Sequence, residues 1–130
     1  MPHTILIIDD DESARSVART LLENAGFEVA VAHDGRDAPH TLTSMGKLPA
    51  AIVLDARMPV MNGQDFLQVL RSYHRFNEVP VIAQSAFPLD PELARRCKGV
   101  VAKQRMAETL VPTVRALARG TLPPIDDKTK

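Results

Sequence analysis

The sequence predicts an α/β fold in which a five-stranded parallel sheet is covered by helices on both faces. Short apolar runs alternate along the chain with segments whose apolar residues recur at helical spacing. This alternation is typical of repeated strand, helix, strand units, whose strands pair in parallel. With 130 residues, of which 45% are hydrophobic, the chain is large enough for one domain whose core needs no disulfide or structural metal.

The apolar runs predict five strands. They lie near residues 4–8, 28–32, 51–55, 79–84 and 100–102. We expect the doubly wound strand order 2-1-3-4-5, which makes the first and third strands neighbours at the point where the order reverses. Open sheets of this kind bind ligands there, outside the carboxyl ends of their strands.

The segments between the strands show helical spacing. The clearest helix follows the first strand, with Asp11 or Ser13 as its N-cap and Gly26 as its end. Another helix begins near residues 62–63, and a further one covers the apolar pattern of residues 107–118.

Two prolines bear on helix boundaries. Pro39 lies close enough to residues 34–35 to occupy the first turn of a helix. Pro112 lies inside the last helical pattern, where it removes a hydrogen bond, so we expect a late helix start or a bend there. Beyond a domain of residues 1–119, the charged and proline-containing residues 120–130 are predicted to form a flexible tail.

Charge and cysteine content exclude several classes of protein. Sixteen basic and sixteen acidic residues cancel, so no net field favours nucleic acid or an anionic membrane. The basic residues at 95, 96 and 98 lack interleaved aromatics and are best explained as a solvated helix face. Cys97 is the only cysteine, and the N-terminus resembles neither a signal peptide nor a membrane span. We therefore expect a cytoplasmic protein without membrane insertion.

Three acidic residues end two of the predicted strands. Asp9 and Asp10 follow the first apolar run, and Asp55 ends the third. In the predicted sheet order these carboxylates converge, and close carboxylates repel one another unless a cation relieves them. Mg²⁺ prefers oxygen ligands, so we expect Asp10 and Asp55 to bind Mg²⁺ and Asp9 to bond to one of its water ligands.

Polar residues also follow the last two strands. Ser85 would supply a hydroxyl donor and Lys103 a compact positive charge beside the acids. In such a site Asp55 would be the nucleophile, because a carboxylate can attack a phosphoryl group to form an acyl phosphate. Mg²⁺ would neutralise charge on the transferred phosphoryl oxygens.

The segment DARMPVMNG at residues 55–63 resembles the phosphoacceptor segment of response regulator receiver domains. In that family an aspartate is followed by two variable residues, Met-Pro and soon a glycine. The chain as a whole resembles a CheY-like receiver, with a flavodoxin-like fold, over roughly residues 3–119. The other matching elements are Asp9-Asp10, Asp34-Gly35, Ser85-Ala86 and Lys103.

The resemblance implies a role for each matching position. Asp55 would be phosphorylated, and the backbone carbonyl of Arg57 would join Asp9, Asp10 and Asp55 around Mg²⁺. Ser85 would match the family's switch hydroxyl, and Lys103 would match its invariant-type lysine. The phosphoryl donor would be a phosphohistidine on a sensor histidine kinase or a histidine phosphotransfer protein. We expect a stand-alone receiver that signals by altered binding to a downstream protein, and homodimerisation stays open.

Three features depart from the family pattern. The family usually has Lys-Pro where this chain has Lys103-Gln104, and a tyrosine or phenylalanine where it has Val100. The stretch between Ser85 and Lys103 is also shorter than usual by about one helical turn, so a fourth helix over residues 91–97 should be short or shifted. We therefore expect Asp55 to accept phosphate while the usual hydroxyl-to-aromatic switch is absent. Phe87 is expected to shield the acyl phosphate from water.

Two other functions stay open from the sequence. The departures at Val100 and Gln104 suit an interaction module that signals without phosphate. Asp9 and Asp11 form an Asp-x-Asp pattern after a strand, which is similar to haloacid-dehalogenase-type phosphatases, although the chain lacks room for their usual architecture. The phosphorylated residue separates these alternatives: Asp55 in a receiver, Asp9 in a phosphatase and none in an interaction module.

Overall fold

Five strands form one parallel sheet in the computed structural model, which describes residues 3–58, 62–86 and 88–118. The strand order is β2-β1-β3-β4-β5, and every neighbouring pair is parallel. The strands are β1 (Thr4–Ile8), β2 (Glu28–Ala32), β3 (Ala51–Asp55), β4 (Val81–Ser85) and β5 (Gly99–Ala102). The predicted fold class and strand order are confirmed.

The start of β4 differs from the prediction. The sequence pattern placed this strand at residues 79–84, whereas it begins at Val81 and includes Ser85. Pro80 has no N–H to donate to a neighbouring strand, so the regular strand begins after it. Its carbonyl still accepts the N–H of Ile52 at 2.9 Å. The strand consequently ends on Ser85, one of the candidate site residues.

Helices cover both faces of the sheet. They are α1 (Glu12–Asn24), α2 (Ala38–Ser44), α3 (Gly63–Ser72), α4 (Pro91–Arg96) and α5 (Met106–Ala118), and a single 3₁₀ turn, Lys103–Arg105, precedes α5. Successive strand residues face opposite sides, so β1 contributes Leu6 and Ile8 to the cluster under α2, α3 and α4. Ile5 and Ile7 of the same strand pack under α1 and α5.

Polar caps determine where the helices begin. The Asp11 carboxylate accepts the Ser13 N–H at 3.1 Å and starts α1, as predicted. The amide oxygen of Asn62 accepts the Asp65 N–H at 2.9 Å and starts α3. These bonds satisfy N–H groups that have no partner inside the helix. Past the end of α1, Gly26 adopts φ +99°, a conformation that favours glycine.

The predictions for two helices had different outcomes. Helix α4 has six residues, so the expected shortening is confirmed. Of the two alternatives predicted for Pro112, the late start of α5 is wrong, because the helix begins at Met106 and contains the proline, while the bend stays a prediction. Leu110, Val114 and Leu117 are buried against the sheet. Burial of these side chains stabilises the helix by about 1.5–3 kcal/mol each, which offsets the roughly 3 kcal/mol cost of an interior proline.

Within the described ranges, no helix is both long enough and apolar enough to cross a membrane. The predicted tail at residues 120–130 lies outside these ranges, as do Phe87 and the Pro59, Val60 and Met61 positions of the phosphoacceptor-like segment.

Candidate functional site

The three acidic residues converge at the carboxyl edge of the sheet. Asp9 follows β1 directly and Asp55 is the last residue of β3, and the pairing of Ile8 with Leu54 brings the two strand ends side by side. One carboxylate oxygen from each of Asp9, Asp10 and Asp55 lies within 4.8 Å of the other two. Asp10 is exposed, whereas Asp9 and Asp55 are buried. The parallel topology thus assembles acids that are far apart in the sequence.

Asp9 is held by both its backbone and its side chain. Its N–H donates to the Ala32 carbonyl at 3.3 Å, and its own carbonyl accepts a hydrogen bond from Arg15 Nη1 at 2.8 Å. Its Oδ1 accepts the Asp11 N–H at 2.9 Å. These contacts fix the turn between β1 and α1. Arg15 was not singled out from the sequence, since a polar helix residue gives no local signal that it reaches back to a strand end.

Asp55 carries a carboxylate in surroundings that disfavour its charge. The side chain is 6% exposed, and Oδ1 accepts the Arg57 N–H at 3.1 Å. Burial raises the pKa of Asp55 to about 7, and the negative charge of Asp9 adds to this effect, while the Arg57 N–H and Lys103 act in the opposite direction. Asp55 therefore changes its protonation state near neutral pH in the metal-free protein.

Lys103 supplies the positive charge at the site. It follows β5, and its ammonium reaches across the end of β4 to lie 3.2 Å from Asp9 Oδ2 and 3.6 Å from Asp55 Oδ2. Burial works against its charged form, but the attraction of Asp9 and Asp55 outweighs this and raises the pKa of Lys103. Lys103 consequently stays positively charged beside the acid pair.

Ser85 ends β4 next to these groups and is buried. It lines a cleft of about 300 Å³ with Arg57, Gly63 and Leu93, which belong to the segment after β3 and to helices α3 and α4. The cleft gives a ligand at the carboxyl edge access to the serine. The topology thus brings Ser85, Lys103 and the three acids to one edge.

The acid cluster fits a divalent cation. Asp9 Oδ2 is buried, has no hydrogen-bond partner within the described part of the chain, and forms an ion pair with Lys103 at 3.2 Å. The oxygen therefore keeps a lone pair for a cation or for its bound water. Carboxylate and carbonyl oxygens are the ligands that Mg²⁺ prefers. Asp9, Asp10, Asp55 and the Arg57 carbonyl are a suitable donor set.

Two of the three departures from the family pattern, Val100 and Gln104, lie on either side of Lys103 in the sequence. Val100 on β5 is 52% exposed. Gln104 donates through Nε2 to the Ala86 carbonyl at 2.8 Å, and thereby joins the turn before α5 to the segment after β4. The described residues contain no cis peptide bond. The Gln104 side chain therefore connects the two segments from the position where the family usually has a proline.

Gln84 is a further polar residue that the sequence analysis missed. It pairs in register with Asp55, is 1% exposed, and its Nε2 has no hydrogen-bond partner in the described ranges. The sequence did contain a signal for Gln84, because a polar residue within the apolar run of β4 is unusual at a position expected to be buried.

Comparison with known proteins agrees with this geometry. The sequence profile of the response regulator receiver domain matches residues 5–114. The chain is 33% identical over 130 residues to the response regulator MprA of Mycolicibacterium vanbaalenii, and the matched region covers 95% of this chain and 53% of MprA. It is 33% identical over 81 residues to the sensor histidine kinase CheAY of Helicobacter pylori, and this match covers 62% of this chain and 10% of the kinase. Among solved structures, the chemotaxis protein CheY4 of Vibrio cholerae has a TM-score of 0.81 at 27% identity, covering 90% of this chain and 99% of CheY4.

The fold and the edge cluster define a signalling domain of two-component systems. The chain belongs to the response regulator receiver domain family. It spans about half the length of MprA and a tenth of CheAY.

The shifted pKa of Asp55 predicts how stability depends on pH. The ordinary pKa is 3.8 and the folded value about 7, so the folded state binds more protons between these pH values and its stability falls as pH rises through them. Asp55→Asn does not titrate. In the absence of divalent cations, we expect the variant to gain stability relative to wild type from pH 4 to pH 7, as measured by thermal unfolding. Asp65→Asn, at an exposed position in α3, is the matched control. Parallel curves for wild type and Asp55→Asn would contradict the prediction.

Proposed function

We propose that this protein accepts a phosphoryl group from a phosphohistidine donor onto Asp55 with the help of Mg²⁺. The observation that carries the proposal is the buried Asp55 carboxylate, which lies at the carboxyl edge next to a second buried acid and to the Lys103 ammonium. Arrangements of oxygen ligands and a fixed positive charge are what phosphoryl transfer requires, because its catalysis depends mainly on positioning and charge neutralisation.

In the proposed reaction an Asp55 carboxylate oxygen attacks the phosphorus atom of the donor. The new P–O bond forms as the P–N bond to the donor histidine breaks, and the histidine ring keeps the electron pair of that bond. The Arg57 N–H, 3.1 Å from Oδ1, restricts the rotation of the Asp55 carboxylate. Because only the ionised carboxylate attacks, the positive charge of Lys103 favours the reactive form of Asp55.

Asp9, Asp10, Asp55 and the Arg57 carbonyl would hold Mg²⁺. The ion would offset charge on the transferred phosphoryl oxygens when bound. Lys103 neutralises part of the same charge from the β5 side, since its ammonium already lies between the two buried acids. Ser85 offers a rotatable hydroxyl donor from the end of β4.

The proposed partners are a sensor histidine kinase or a histidine phosphotransfer protein and an unidentified downstream protein. Membership in the receiver family supports the first class, and the relative CheAY is itself a sensor histidine kinase. The downstream protein would bind differently to the phosphorylated and unphosphorylated forms, because phosphorylation adds charge beside Ser85 and Lys103.

Incubation with acetyl phosphate and Mg²⁺ tests the phosphoacceptor. We expect one phosphoryl group per chain, mapped by mass spectrometry to Asp55, and roughly tenfold or more slower labelling when divalent cations are chelated, because the acids then repel the incoming group. Asp55→Asn should stay unlabelled, and Asp65→Asn should behave as wild type. Label on Asp9 would favour a phosphatase, and no label at all would favour an interaction module that signals without phosphate.

The change on phosphorylation is expected to stay near the site. Val100 is already exposed, and the chain has no aromatic residue at this position to turn inward. Nuclear magnetic resonance with beryllofluoride, a phosphoryl mimic, should therefore shift backbone amides after β1, β3 and β4 much more than those of the outer face of α5. Large shifts along β5 and α5 would contradict the proposal by showing that another residue relays the change.

A further inference from the structure

Gln84 carries a buried side-chain amide whose nitrogen has no hydrogen-bond partner in the part of the chain that the structure describes. The residue is 1% exposed, and Nε2 has no hydrogen-bond partner within the described residues. A buried donor without a partner costs roughly 1–3 kcal/mol, a cost that an apolar side chain of similar size avoids. An unsatisfied donor in a native protein calls for a physical explanation, and use in a second state of the protein is one.

The register of the sheet places Gln84 at the phosphoacceptor site. It pairs with Asp55 on one side and with Val101 on the other. Two residues earlier, Val53 pairs with Ile82, and both belong to the cluster under α1 and α5. Because strand residues alternate between faces, Gln84 and Asp55 share that face. The amide therefore lies on the strand next to the acceptor carboxylate, at the same level.

The hydrogen bonds of Asp55 in the unphosphorylated protein leave the amide without a role. Oδ1 accepts the Arg57 N–H at 3.1 Å, and Oδ2 faces Lys103 at 3.6 Å. In an acyl phosphate one of these oxygens is bonded to phosphorus, and most of the negative charge lies on the phosphoryl oxygens. Lys103 is then attracted toward that charge. The Gln84 amide, near the end of β4, can then supply a neutral hydrogen-bond donor in place of Lys103.

We propose that the Gln84 side-chain amide donates a hydrogen bond at the Asp55 acyl phosphate, and that this bond forms only in the phosphorylated state. The inference rests on the proposed function of Asp55. A donor that is unsatisfied before phosphorylation and satisfied afterwards favours the phosphorylated state by the whole difference, because only differential interactions shift an equilibrium. Removal of the cost of the unsatisfied donor corresponds to about a 5- to 150-fold effect on that equilibrium.

Beryllofluoride affinity and thermal stability together test the role of Gln84. Gln84→Leu removes the unsatisfied donor, so the unliganded variant should melt at a higher temperature than wild type. Its affinity for beryllofluoride with Mg²⁺, measured by calorimetric titration, should be about 5- to 150-fold weaker. Gln84→Glu, which in its ionised form can only accept hydrogen bonds, should bind more weakly still. Ile82→Val, on the same strand and face, is the control: it should melt lower and keep wild-type affinity.

Three results would overturn the inference on Gln84. A stabilised Gln84→Leu with wild-type affinity would overturn the inference, since the amide would then be merely tolerated. A destabilised Gln84→Leu would also overturn it, because the amide would have a partner in the unphosphorylated protein. Either result leaves the proposed function of Asp55 intact. Wild-type protein that binds no beryllofluoride would overturn both proposals.

Discussion

The rest of the site depends on the ion pairs between Lys103 and the buried carboxylates of Asp9 and Asp55. Two acids at the ends of neighbouring strands repel each other, and burial strengthens that repulsion because water is excluded. The Lys103 ammonium, 3.2 Å from one acid and 3.6 Å from the other, offsets the repulsion without removing it. Burial of the Asp55 carboxyl is the main cause that raises its pKa to about 7, and the repulsion from Asp9 adds to it. Asp9 keeps an oxygen with no hydrogen-bond partner among the described residues. Both features favour the arrival of further positive charge or the loss of negative charge.

This constraint explains why the residues around Asp55 match the family pattern while residues outside the site depart from it. The acids, Ser85 and Lys103 lie at strand ends, where the parallel register fixes their separations. The departures lie farther out, in α4, at Val100 and at Gln104, whose side chain bonds to Ala86. Changes there leave the charges around Asp55 in place. The chemistry proposed for Asp55 can therefore be kept while the structural change by which phosphorylation alters partner binding differs from that of the family.

Much of the fold was predictable because β1 and β3 are continuous apolar runs with acids immediately after them. The start of β4 was predicted too early because the apolar pattern begins at Val79, before Pro80. The missing N–H of the proline marks the actual boundary. Helix α5 contains Pro112 because burial of its apolar face outweighs the local preference, and local sequence does not report that balance. Convergence of the acids followed from topology alone. The hydrogen bond from Arg15 to Asp9 depends on side-chain packing, which appears only in three dimensions. The same holds for the Gln84 amide nitrogen, which has no partner among the described residues.

The ionisation of Asp55 can be measured directly by carbon-13 nuclear magnetic resonance of its side-chain carboxyl. We expect a titration midpoint near pH 7 in metal-free protein and a clearly lower midpoint when Mg²⁺ is present, since a bound cation favours the carboxylate. A midpoint close to the ordinary value of 3.8, unchanged by Mg²⁺, would contradict the proposed site, because Asp55 would then be neither desolvated nor part of a cation site.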